Sequence, residues 1–129
     1  MGSNFINRGE AIEVNFGAAS TDLTPATWET GDPIMVGDLP AVAMTPRTAA
    51  SEKATIWTYG KYRLRVNAPS GGANAGTVGK SIFMIGTAAN GTFLTTNASA
   101  TGAKFWGYLL GTLAAGANGI VDVKCGRGG

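Results

Sequence analysis

The sequence predicts an all-β chain, a small antiparallel β-barrel or sandwich of about nine short strands with an extended N-terminal arm. Three observations carry that expectation. Gly supplies 20 of the 129 residues, and each Gly placed inside a helix would cost roughly 1 kcal/mol against Ala. No segment holds a helical apolar period for more than about ten residues. Short runs that alternate apolar and polar side chains recur along the chain, bounded by Gly, Pro, Asn and Asp.

Residues 1–10 are mostly polar but contain Phe5 and Ile6, which suits an arm with two apolar anchors. Fully extended, ten residues reach at most about 33 to 36 Å. Residues 11–16 alternate Ile12, Val14 and Phe16 with Glu13 and Asn15, the signature of a half-buried strand. Residues 20–30 read as a loop broken by Pro25, with Trp28 as the one large apolar group. Such a Trp needs a partner surface, in the core or on a neighbour. A turn at Gly31, Asp32 and Pro33 leads to a strand over 34–36, and Gly37 and Asp38 turn the chain into a strand over 41–44. Two further runs, 54–59 and 62–66, flank Gly60. In the second, Tyr62, Leu64 and Val66 face one way and Lys61, Arg63 and Arg65 the other. A Gly-, Asn- and Ala-containing loop over 69–79 precedes a strand at 81–85. Asn90-Gly91 is the strongest two-residue hairpin signal in the chain and predicts a return strand over 92–96. Strands at 105–110 and 120–124 complete the set, the last with Val121, Val123 and Cys125 opposite Asp122 and Lys124. The organisation expected is an arm (1–10), a single β domain (11–125) and a flexible tail (126–129).

Composition narrows the chemistry. The chain has no histidine, which removes the commonest general base, the usual serine or cysteine triad and every zinc site that needs imidazole. Cys125 is the only cysteine, so no intramolecular disulfide forms and an intracellular, non-redox setting is the default expectation. A net charge of +2 is too small for affinity built on many phosphate contacts, and nucleic acid is not expected as a partner. No apolar run approaches membrane-spanning length, and MGSNFINRGE has neither the charged start nor the apolar stretch of a secretory signal. Ile6 stands where a myristoylation signal wants Ser or Thr. Neither a membrane nor a cofactor is expected. Much of the apolar content is Ala, so the core should be thin and supplemented by oligomerisation or docking.

Several local features invite chemistry. Residues 74–81, NAGTVGKS, come within one residue of a phosphate-binding loop, but Asn74 replaces its first Gly and the following SIFMIG is a poor start for the helix that such a loop requires. Asp32 and Asp38 suggest a cation site or carboxylate pair, yet both sit at turns where Asp is ordinary. Cys125 lacks a histidine to activate it and reads as a small buried apolar group. The Asn90-Gly91-Thr92 and Asn97-Ala98-Ser99 sequons are expected by chance in a chain of this composition. The best electrostatic feature is the stripe of Lys61, Arg63 and Arg65, read either as a solvated face or as a contact for an acidic protein surface.

The order of these pieces resembles the DUF2190 family of small phage capsid decoration, or cement, proteins. The family's opening arm and first strand are matched by Asn4, Phe5, Ile6, Gly9, Ile12 and Val14. Its "GD, apolar, G, L, VA" block is matched by Gly31, Asp32, Val36, Gly37, Leu39, Val42 and Ala43. Gly60, Tyr62 and Leu64 look like its "G, aromatic, L" strand, and Gly79, Ile82 and Phe83 with residues 91–96 like its later return. Trp106, Gly107 and Tyr108 resemble its "apolar, G, apolar" strand, and residues 120–124 its terminal strand. The chain departs from the pattern at Pro40 and in the length of the 20–30 loop.

The resemblance implies a non-enzymatic protein made in the host bacterial cytoplasm and carried on the outer surface of the virion. Its implied partner is the major capsid protein of an icosahedral head, whose neighbouring subunits it would hold together. Asn4, Phe5, Ile6 and Arg8, with Lys61, Arg63 and Arg65, are the candidate contacts to the capsid or to a neighbouring copy. Three Trp residues are more aromatic surface than a thin core readily hides. Trp28, Trp57 and Trp106 are therefore candidate contacts of a homo-oligomer, a trimer first and a dimer second. The alternative is a small β-barrel that binds glycans, in which the same Trp residues would line an open cleft.

Overall fold

Each of the nine expected runs forms a strand in a computed structural model, which describes residues 12–15, 23–48, 53–89 and 92–127. The strands are β1 (Ile12–Asn15), β2 (Leu23–Thr24), β3 (Pro33–Val36), β4 (Leu39–Ala43), β5 (Lys53–Trp57), β6 (Gly60–Asn67), β7 (Ser81–Ala89), β8 (Thr92–Thr95), β9 (Lys104–Leu109) and β10 (Asn118–Cys125). The tenth, β2, lies inside the expected 20–30 loop and pairs with β3 through Leu23↔Val36 and Thr24↔Met35. Among the described residues the only helical segment is a single 3-10 turn, Gly72–Asn74. The fold is all-β.

The expected barrel or sandwich resolves into both a barrel and a sheet. Strands β10-β6-β8-β7-β9 close into a barrel, and β1-β5-β4-β3-β2 form a separate five-stranded sheet. Strand pairing closes where the sequence predicts at two hairpins. Gly37, with φ of 62°, takes the left-handed backbone that the Val36↔Leu39 closure demands, and Ala89 pairs with Thr92 across the Asn90-Gly91 connection. The pairing is not antiparallel throughout, because β6 meets β8 in parallel at Asn67↔Thr95. Gly60 marks the crossing between the two halves. Its φ of 123° is backbone that an L side chain rarely adopts, and it takes the chain from β5, which pairs with β1 and β4, into β6 of the barrel. The adjacent runs on either side of Gly60 therefore belong to different sheets.

Period-two geometry sends neighbouring residues of one strand to opposite faces, and in this sheet both faces are covered. Met35 and Val42 join the barrel core of Val66, Ile82, Met84, Leu94, Trp106, Leu109, Val121, Val123 and Cys125. Ile34, Ala41, Ala43, Ala54 and Ile56 pack on the other face with Leu23 and Trp28. Three of those seven are Ala, so this second core is thin, as the composition implies. Trp106 joins the halves by donating its Nε1–H to the Ala41 carbonyl at 3.1 Å.

Burial corrects the expectation for the tryptophans. Trp106 is 0% exposed in the barrel, and Trp28 is 4% exposed over the second core. The Trp28 backbone exchanges hydrogen bonds with Arg47 at 3.0 and 2.9 Å, and its indole N–H donates to the Thr45 carbonyl at 3.1 Å. Arg47 is itself buried, donates to the Ala26 carbonyl and lies 5.6 Å from the Trp28 ring centre. Neither indole is available to a second copy or to a glycan cleft, because a single chain hides both. Trp57 is half-buried against Tyr62, with ring centroids 6.2 Å apart.

Cys125 is fully buried, as the sequence predicts. Burial pushes its thiol up to about 12 from an ordinary 9.0, against a smaller lowering by Lys124. Burial, Cys125 and Tyr59 likewise push the Tyr62 phenol up to about 12 from 10.0, and that phenol donates to the Tyr59 carbonyl at 2.8 Å. Both groups favour the protonated state in the fold. Their contribution to stability is complete below the ordinary thiol value and is lost as pH rises towards the folded values. Thermal unfolding measured from about pH 8 to pH 11 should hold level and then fall from about pH 9 upward, with a shallower fall in Cys125→Ala. A melting temperature unchanged across that range would contradict the burial of these groups.

Candidate docking surface

Strand β6 alternates as its sequence predicts, with Tyr62, Leu64 and Val66 inward and Lys61, Arg63 and Arg65 exposed. The full-length pairing with β10 sets what those cations face. Lys61 lies opposite Lys124, Arg63 opposite Asp122 and Arg65 opposite Ile120. Asp122 accepts from Arg63 Nη1 at 3.1 Å and pairs with Lys61 Nζ at 3.5 Å, while Arg65 Nη1 donates to the Asn118 carbonyl at 3.1 Å. Four cations thus share this wall with one carboxylate. Lys61 and Arg63 remain 67% and 68% exposed, and exposed pairs of this kind are worth only about 0 to 1 kcal/mol. Stability does not explain the stripe. Ile120 adds a 53% exposed apolar side chain beside Arg65.

The stripe continues into an aromatic patch that sequence reasoning missed. Lys124 lies opposite Tyr108 of β9, whose ring meets Phe105 edge-on at 5.2 Å, and Phe105 meets Phe83 at 6.3 Å. The Arg127 guanidinium stacks 3.8 Å from the Phe105 ring centre and donates to the Tyr108 hydroxyl at 3.0 Å. Strict alternation would put Phe105 and Tyr108 on opposite faces. The register shift between Ile82 and Phe83 in the β7–β9 pairing breaks that parity, leaving Trp106 and Leu109 buried while the other two rings meet. A Gly at 107, where the strands approach closely, was the available signal.

Two open cavities lie on the described surface. One, of about 560 Å³, lies between the 25–33 segment and the barrel, with Pro25, Pro33, Leu64, Arg65, Thr92 and Phe93 among its lining residues. The other, of about 370 Å³, includes Lys80, Ser81, Phe83 and Asn97. It gathers the end of the phosphate-loop-like stretch, but the strand β7 starts directly at Ser81 and Lys80 Nζ donates to the Ala73 carbonyl at 3.0 Å. Among the described residues no α-helix follows Lys80, and the one helical element, the Gly72–Asn74 turn, precedes it. Asp32 accepts from the Glu29 N–H at 3.0 Å, and Asp38 pairs with Lys104 at 3.3 Å, so each carboxylate has a local structural partner. Asn4, Phe5, Ile6 and Arg8 lie outside the described residues. No family model, curated protein or solved structure matches the chain.

Proposed function

We propose that this chain is a capsid decoration protein of a tailed bacteriophage, which binds the outside of the head and stabilises contacts between major capsid protein subunits. The observation that carries the reading is the outer face of β6, where Lys61, Arg63 and Arg65 stand exposed beside the single carboxylate of Asp122 on β10. A rigid barrel presents these charges at fixed spacing, so docking on an acidic shell surface orders little backbone. Individual contacts of this kind are weak, but repetition over a head multiplies them. The resemblance of residue order to known cement proteins supports the same reading. A trimer, or second a dimer, belongs to the proposal; with Trp28 and Trp106 inside the chain, Trp57 is the indole left to contribute to a copy-to-copy contact. The proposed role is structural and not catalytic.

The test uses heads of the encoding phage stripped of this protein. Arg63→Glu with Arg65→Glu should preserve the circular dichroism of the β fold while weakening head binding by about tenfold or more at low salt, with the difference shrinking as salt rises. Equal binding of the charge-reversed protein at every salt concentration would overturn the reading.

A further inference from the structure

The smaller cavity is lined by polar groups that the fold itself leaves unused. It lies where the start of β7 meets the turn after β8, with Lys80, Ser81 and Phe83 on one side and Asn97 and Ser99 on the other. Its volume of about 370 Å³ falls within the range of small-molecule sites, about 300 to 1,000 Å³. Both walls are held in place. Lys80 Nζ donates to the Ala73 carbonyl at 3.0 Å, the Asn97 side-chain oxygen accepts from the Ser99 N–H at 3.0 Å, and Thr96 Oγ1 ties the walls together by donating to the Asn74 carbonyl. What remains is mainly a set of donors. No partner among the described residues takes up the Ser81 and Ser99 hydroxyls or the Asn97 Nδ2 hydrogens, and the Lys80 ammonium keeps two N–H groups beyond its bond to Ala73. No carboxylate lines the cavity.

Phe83 gives this polar cavity an aromatic wall. Ile82 and Met84 are buried in the barrel core while Ser81 and Phe83 are half-buried, so alternation along β7 turns the latter pair to the outer face. Phe105 meets the Phe83 ring edge-on at 6.3 Å and is itself covered by the Arg127 guanidinium at 3.8 Å, which braces the ring from the β9 side. An aromatic ring beside hydroxyl and amide groups suits a pyranose, whose C–H face packs on the ring while its hydroxyls exchange hydrogen bonds with Ser and Asn. A lone ammonium with no opposing carboxylate adds a preference for negative charge. We infer that this cavity binds a short saccharide that carries a carboxylate, with Phe83 under a sugar ring, Ser81, Asn97 and Ser99 on its hydroxyls and Lys80 on the carboxylate.

A nucleotide fits less well. Phosphates in a Gly-rich loop are cradled by free backbone N–H groups, whereas here the N–H groups of Gly76, Gly79 and Lys80 are spent on the Leu113, Leu109 and Thr77 carbonyls. The position of the cavity also separates it from the cationic stripe. In the closed order β10-β6-β8-β7-β9, strand β7 lies two strands from both β6 and β10, so a chain docked through its cationic face turns this cavity away from the surface beneath it. The inference goes beyond the decoration reading and does not rest on it.

The probes are digalacturonic acid and sialyllactose, each titrated into the full-length protein and followed by amide chemical shifts, with the dimethyl ester of the first and lactose as their uncharged counterparts. At least one acidic saccharide should bind at millimolar concentration or below, shift the amides of Lys80, Ser81, Phe83 and Asn97, and bind about tenfold more tightly than its counterpart. Phe83→Ala should weaken that binding about tenfold while keeping the circular dichroism of the β fold. Lys80→Gln should lower the acidic saccharide to the level of its uncharged counterpart and leave the counterpart unchanged, a readout that survives if Phe83→Ala fails to fold. The inference is overturned if neither acidic saccharide binds at millimolar concentration, if the shifted amides lie elsewhere, or if the uncharged counterparts bind equally. It is also overturned if Lys80→Gln keeps the full preference for the acid, if a folded Phe83→Ala protein binds as the parent does, or if inorganic phosphate or ATP occupies the same amides more tightly than either saccharide. Heads enter none of these measurements, so saccharide binding by a protein that leaves heads undecorated would retire the decoration reading alone, and decoration without saccharide binding would retire the cavity alone.

Discussion

Gly107→Ala is expected to abolish the folded state, or to leave a barrel open between β9 and β10. A Cβ on residue 107 would stand 2.0 Å from the Lys124 carbonyl oxygen, 3.0 Å from its carbon and 3.3 Å from the Cys125 Cα. These are main-chain atoms of the paired strand, in register through Gly107↔Cys125, so no rotamer change relieves the clash. The strands must separate, which removes ladder hydrogen bonds and opens the core around Trp106 and Cys125. A loss above about 4 kcal/mol follows, a large part of the stability of an ordinary domain. Gly76→Ala is the informative contrast. There the nearest atom, at 2.3 Å, is a terminal methyl of Leu109, which can move. Urea unfolding of both variants checks the difference, and a Gly107→Ala protein within about 1 kcal/mol of the parent would contradict the close approach of β9 and β10.

The second large effect is expected at Trp106. Its indole is fully buried, contributes the largest side chain of the barrel core and donates to the Ala41 carbonyl of the neighbouring sheet. Trp106→Ala should cost about 3 to 5 kcal/mol by leaving a cavity. Trp106→Phe keeps much of the aromatic packing but removes the bond to the Ala41 carbonyl, which keeps its ladder partner Ile34, and should cost a smaller amount, about 0.5 to 1.5 kcal/mol. The two variants together distinguish packing from the hydrogen bond that joins the halves. Equal stability of the Phe variant and the parent would remove that bond from the description of the interface.

Local alternation makes the strands legible, because each run has one face to bury and one to expose. The same alternation places Lys61, Arg63 and Arg65 on the outer face of β6, where they are found. What alternation cannot encode is partnership. The runs before and after Gly60 look like neighbours, yet β5 pairs within the sheet and β6 within the barrel. Leu23–Thr24 is too short to carry a period. The sequence shows that Trp28 needs a partner surface but not which one; the core supplies it, with Arg47 laid against the ring, an arrangement made by residues far apart in sequence. The aromatic patch at Phe83, Phe105 and Tyr108 is hidden for a different reason. One irregularity in register reverses the parity on which face assignments depend.

The most direct test of the decoration reading is a cryo-electron microscopy map of heads purified with and without the protein. The expected result is extra density on the outside of the shell into which the barrel fits with its β6 and β10 wall against capsid subunits. Lys61, Arg63 and Arg65 should lie within reach of acidic side chains. Heads that carry no such density would contradict the reading, as would density in which the cationic wall faces solvent.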